Sequence, residues 1–114
     1  MNPEMEALIQ QLRKSSHTEQ AALWKRIALD LAKPARTKRV VNLSRINRYA
    51  QDDETVIVPG KVLAAGSLDR KVHVAAFSFS KAAREMIEKQ KGSAMSIADL
   101  LKQNPKATKV RILG

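Results

Sequence analysis

The chain contains no cysteine, which excludes disulfides, thiolate metal sites and thiol nucleophiles together. Histidine occurs twice, as His17 and His73, and neither has an acid at ligand spacing, so neither is expected to bind a metal or to act as a catalyst. Aromatic residues are only 4% of the chain, which leaves aliphatic side chains to fill the core. The turns VPGK and AAGS hold two of the four glycines and lack the glycine spacings of the P-loop and of the dinucleotide fold. No nucleotide, cofactor or small-molecule substrate is therefore expected. No apolar run approaches the roughly 18 residues of a membrane span. The opening MNPEMEALIQQL carries acids where a secretion signal carries bases. A soluble, intracellular protein without a membrane partner is the expectation.

Acidic residues are the other shortage. Eleven Asp plus Glu face 21 Lys plus Arg, for a formal charge of +10 and a pI near 10.3. That excess on 114 residues, a length suited to one domain, favours a polyanionic partner, nucleic acid being the commonest. Asp52, Asp53 and Glu54 are consecutive, but no further oxygen ligands follow at calcium-loop spacing, so they read as a solvated turn.

Hydrophobic periodicity organises the rest. Residues 2–14 read as a helix, with Pro3 at its first position, Glu4 and Glu6 at its positive end, and Met5, Leu8, Ile9 and Leu12 on one stripe. A second helix is expected from a Ser16/Glu19 capping box, with Leu23, Trp24, Ile27, Ala28 and Leu31 inward and Pro34 beyond its end. TVIV (55–58) and KVLAA (61–65) read as two strands joined at Pro59-Gly60 by a type II turn. SLDRK (67–71) reads as a polar turn. VHVAAFSF alternates with both faces mostly apolar, as a central strand would. Ser80 is placed to cap a helix carrying Ala83, Met86 and Ile87, with Gly92 as its left-handed C-cap, and Ser96 and Asp99 open another that stops at Asn104-Pro105. Val110 and Ile112 belong to a last strand. The expected fold class is α/β: a compact single domain over 1–114, with an N-terminal helical pair (1–33), a basic arm (34–50) and a mixed small-sheet core with two further helices (51–114).

The arm carries the strongest functional signal. No acid lies between Asp30 and Asp52, while Lys33, Arg36, Lys38, Arg39, Arg45 and Arg48 supply six cations. Ordinary surfaces mix signs; a one-sign segment repels itself unless an anion neutralises it. Arginine offers forked donors for phosphate, Asn42 and Ser44 can bond to phosphate or 2′-hydroxyl oxygens, and Tyr49 can stack on an unpaired base. Val40, Val41, Leu43 and Ile46 would be superfluous in a free linker. They suggest an extended VVNL anchored to the core, followed by a short helix capped by Ser44 that places Arg45 and Arg48 on one face. Lys61, Arg70, Lys71 and Lys81 form a second candidate basic group around the strand turns.

PGKVLAAGSLDRKVHVAAFSFSKAAREMIEK, followed by MSIADLLKQNPKATKVRILG, resembles the large-subunit ribosomal protein eighteen-e family of archaea and eukaryotes, related to bacterial large-subunit protein fifteen. VNLSRINRYA is similar to that family's N-terminal arm. Ala64, Lys91 and Ala107 stand where the family favours glycine. The resemblance implies a non-catalytic cytoplasmic component of the large ribosomal subunit, of archaeal source, binding large-subunit rRNA beside neighbouring ribosomal proteins and monomeric when free. Charge alone equally permits a small DNA-binding or chromatin-compacting protein, although no recognition helix is evident. An RNA-processing enzyme would need a convergent acid/base set that two isolated histidines do not provide.

Overall fold

The computed structural model describes residues 3–33 and 39–113, without the side chain of Arg39. Two helices open it, α1 (Pro3–Glu19) and α2 (Ala22–Leu31). The remaining elements are β1 (Arg39–Asn42), α3 (Leu43–Tyr49), β2 (Glu54–Leu63), β3 (Val72–Phe79), α4 (Lys81–Lys89), β4 (Ser93–Ser96), α5 (Ile97–Gln103) and β5 (Val110–Ile112). Among the described residues every strand pairing is parallel. The sheet runs β1-β2-β3-β4, and β5 joins β2 on the stretch that β1 leaves uncovered.

A parallel sheet needs cover on both faces, and strand alternation supplies it here. Val56, Val58, Val72, Val74 and Ala76 point to one side, where they pack with Leu43 and Ile46 of α3 and Ala83 and Ile87 of α4. Ile57 and Ala75 point to the other, meeting Leu12, Trp24, Ile27, Leu31 and Leu100 from α1, α2 and α5. The result is three layers, helices on each side of one sheet. The lone tryptophan closes the second side: buried Trp24 donates its indole N–H to the Pro105 carbonyl at 2.6 Å.

Several expected boundaries shift. Helix α1 runs through Ser16 to Glu19, so Ser16 caps nothing. Instead the chain breaks at Gln20, whose φ is 54°, and α2 starts from Ala21 with no side-chain cap. The hairpin expected at Pro59-Gly60 is absent. Both residues are buried inside a single ten-residue strand, and Gly60 lacks the positive φ that a type II turn demands. The proline falls instead at a register shift between Val58 and Lys61, where its missing N–H breaks no ladder. SLDRK, expected as a polar turn, is part of a longer connection. The segment 64–71 must travel the length of the sheet to start a parallel neighbour, and it does so as an extended strap along α3. Leu68 is buried beneath it, Ala65 accepts from the Ser44 N–H at 3.1 Å, and the Asp69 N–H donates to Asn47 Oδ1 at 3.1 Å.

The two later serine caps hold. Ser80 Oγ accepts from the Ala83 N–H and Ser96 Oγ from the Asp99 N–H, each at 3.1 Å. The left-handed residue ending α4, however, is Lys91, with φ 64°. Gly92 is required for a different reason: a Cβ there would stand 2.0 Å from the Val72 carbonyl oxygen. Strand β4 follows directly and carries too few branched residues to be legible in sequence.

Candidate nucleic-acid interface

Backbone pairing comes first in building this site. β1 lies parallel to β2, Val40 opposite Lys61 and Asn42 opposite Leu63, so residues 39–42 of the basic segment form part of the sheet. Val41, Leu43 and Ile46 are buried to 2% exposure or less, and as expected they anchor it. Val40 does not, being 59% exposed on the outer side of β1. Ser44 is not the cap of α3 either. Asn42 occupies that position without a side-chain cap bond, and the Ser44 N–H is engaged by the strap.

With Leu43 and Ile46 inward, the helical period puts Arg45, Arg48 and Tyr49 outward together. The Arg45 and Arg48 guanidinium carbons stand 5.8 and 5.5 Å from the Tyr49 ring centroid, and the tyrosine remains 48% exposed. Ser44 joins these three around a shallow recess. Two cations against one aromatic face present both charge for a phosphate and a π surface for a base. Helix α3 is held at its far end as well, because Arg70 donates from Nη1 to the Ala50 carbonyl.

The other expected residues separate. Lys33 sits just beyond α2 with its ammonium 3.1 Å from Asp30. Arg36 and Lys38 lie outside the described residues, as does Pro34, and of Arg39 only the backbone is described. Asn42 is half-buried at the end of β1. Lys61, Arg70, Lys71 and Lys81 do not form one group: Lys61 and Lys81 lie toward the C-terminal ends of the strands, while Arg70 and Lys71 precede β3 at the opposite end. Arg70 is half-buried and structural, and Lys71 is paired with Asp53 at 3.4 Å.

The acidic turn proves more organised than a solvated stop. Asp53, at φ 65°, places Oδ1 2.8 Å from His73 Nε2, and His73 Nδ1 is 2.8 Å from Ser93 Oγ. The hydrogen bond from His73, with the Lys71 charge behind it, holds the Asp53 carboxyl below the usual range. A serine, a histidine and an aspartate from three segments are thus aligned, tying the turn before β2 to β3 and β4. Sequence spacing could not reveal this, because parallel pairing joins positions 20 residues apart. Nearby, the hydrogen bond from Arg111 Nε at 2.7 Å likewise lowers the Glu54 carboxyl. Among the described residues no group of three or more metal-ligating side chains converges, and no helix is long and apolar enough to cross a membrane.

Fold and site together define a small three-layer α/β protein whose α3 face is cationic and aromatic. Residues 21–95 match the model of the family that comprises ribosomal proteins 50S-L15 and 50S-L18e together with the 60S protein twenty-seven-A, and the chain belongs to that family. Large ribosomal subunit protein eL18 of Methanoregula boonei is 50% identical to it over 98% of this chain and 93% of its own length. The same-named proteins of Methanococcus maripaludis and Archaeoglobus fulgidus are 48% and 46% identical, covering 99% and 98% of this chain and 94% and 96% of their own. These relatives are archaeal, and the family is one of structural ribosomal components, not enzymes.

Proposed function

We propose that this protein is a structural constituent of the large ribosomal subunit in the cytoplasm, where it binds and stabilises rRNA beside neighbouring ribosomal proteins. The whole chain acts as one ribosomal-protein domain, with 34–50 as its RNA-binding segment. The names of its archaeal relatives support the subunit assignment. The observation that carries the RNA reading is the α3 face, where Arg45 and Arg48 flank an exposed Tyr49 within an acid-free segment and are held rigid by buried Leu43 and Ile46. Arg45 and Arg48 neutralise phosphates that would otherwise repel where rRNA helices converge, and Tyr49 stacks on a base. Ser44 and Asn42 add contacts at the edge, and Lys33, Lys61 and Lys81 supply further charge, with Arg36, Lys38 and Arg39 contributing by their place in the acid-free sequence segment. A helix of seven residues spans only about 10 Å, which suits RNA shape reading better than insertion in a DNA major groove.

The test is charge reversal of Arg45 and Arg48 together. Both side chains are exposed, so the melting temperature should not move, while co-sedimentation with the large subunit should fall at least about tenfold, as expected for two lost phosphate contacts. Full co-sedimentation of the double variant would remove α3 from the interface.

A further inference from the structure

Strands β5 and β1 share one edge of β2 without meeting. β5 ends opposite Ile57 and β1 begins opposite Gly60, and the break between them coincides with the register shift after Val58. A polar recess of about 390 Å³ opens at this break. Pro59, Ile112 and Leu113 line it from the sheet, Arg26, Asp30 and Lys33 from α2 and its end, and Arg45 from α3.

Three cations therefore face one carboxylate, and that carboxylate is already engaged with Lys33 at 3.1 Å. Among the described residues neither Arg26 nor Arg45 has an ion pair. Such convergence is self-repulsive until an anion enters, and two guanidinium groups offer a tetrahedral oxyanion the forked donors it needs. In sequence Arg26 is indistinct from Lys25, both lying on the solvent side of an amphipathic helix. Only the fold turns the two apart, Lys25 facing Arg13 and His17 on the far side and Arg26 facing the recess. Arg45 lines both this recess and the Tyr49 face.

We infer that the recess is a phosphate-binding subsite, taking one backbone phosphate of RNA between α2 and α3, with Arg26 and Arg45 as its donors. The inference rests on the RNA reading above and extends it to the N-terminal helical pair. Arg45 is then the shared wall between a recessed phosphate position and the base-stacking position at Tyr49.

The experiment titrates the full-length protein with inorganic phosphate, against chloride at matched ionic strength, following the arginine Nε–H resonances. Saturable shifts at Arg26 and Arg45, lost in Arg26→Gln and kept in Lys25→Gln, are expected; shifts that fail to saturate or that chloride reproduces would overturn the subsite. A second measurement uses protein-free large-subunit rRNA. Arg26→Gln, with an unchanged melting temperature, should make the slope of log affinity against log salt shallower by about 0.7–0.9, the share of one phosphate, and Lys25→Gln should not. If phosphate saturates the recess while the wild-type protein does not bind rRNA, the RNA assignment falls and an anion site of another kind remains. If rRNA binds with the same slope in Arg26→Gln and phosphate does not saturate, the recess falls and the α3 interface is untouched.

Discussion

Lys91 and Ala107 hold left-handed backbones, with φ 64° and 54°, a conformation that glycine adopts at least cost. The turns tolerate a side chain because neighbouring bonds determine them: the Lys91 N–H reaches the Glu88 carbonyl at 2.9 Å and the Ala107 N–H that of Asn104 at 2.9 Å. A Cβ in this region costs on the order of 1 kcal/mol, and the greater freedom of glycine in the unfolded chain takes back about 0.4–1 kcal/mol, so Lys91→Gly and Ala107→Gly should each stabilise the protein by no more than about 0.5 kcal/mol. Denaturant midpoints measure this, and a lower midpoint would show that the side chains contribute more than the strain costs. Gly92 is the opposite case. Its replacement by alanine should destabilise by more than about 2 kcal/mol, because backbone and not a flexible side chain blocks the Cβ. At Asp53 the pH dependence has a definite sign. Its folded carboxyl titrates below the ordinary value of 3.8, so its contribution is present above that value and is lost as pH falls through the lower, folded one. Melting temperature should therefore decline on acidification below about pH 5, and Asp53→Asn should flatten part of that decline. An unchanged acid limb would mean that the His73 and Lys71 contacts add nothing to stability.

Helix α3 and the strap beside it show how an element's buried side positions its exposed one. Ile46→Ala should cost about 2–5 kcal/mol by opening a cavity in a fully buried position, and it should weaken rRNA binding too, since Arg45 and Arg48 ride on that packing. Tyr49→Ala should separate the two effects. With the ring 48% exposed, stability should change little, while rRNA affinity should fall by about 1–3 kcal/mol if a base stacks there. Equal losses of stability and affinity in Tyr49→Ala would make the tyrosine a structural residue. The apolar spacing of Leu43 and Ile46 makes this element legible in sequence, as do the Ser80 and Ser96 caps, because each depends on residues within one or two turns. The Pro59-Gly60 hairpin fails for a complementary reason. Pro-Gly chemistry is compatible with a turn wherever the chain is free to reverse, and pairing on both sides of β2 leaves it no such freedom. The strap 64–71, in place of the polar turn expected at 67–71, differs in the same way: its polar composition describes its exposed surface, and only the parallel order of β2 and β3 requires it to run extended.

On the scale of the whole molecule, a charge of +10 should make the proposed binding to rRNA strongly salt-dependent. If the six cations of residues 33–48 each meet a phosphate, log affinity should fall with log salt with a slope of about −4. A slope near −1 in a filter-binding titration would show that the segment is not the main contact. The two sides of the sheet should unfold as one unit, because Val56 and Val58 pack on one side while Ile57 between them packs on the other. Trp24 fluorescence and far-UV circular dichroism should accordingly report one coincident denaturant transition, and two separate midpoints would mean that the helical pair detaches first. Composition and local periodicity by themselves determined the absence of thiol chemistry, the excess of positive charge, the helix stripes, two caps and the outward pairing of Arg45 with Arg48, since each is set by residue identity or by contacts within a few residues. The parallel sheet, the dispersal of Lys61, Arg70, Lys71 and Lys81, the Asp53–His73–Ser93 alignment and the recess joining Arg26 to Arg45 were decided only by tertiary structure. All four depend on which strand lies beside which, a choice made by burying both faces of the sheet at once and carried by no local stretch of chain.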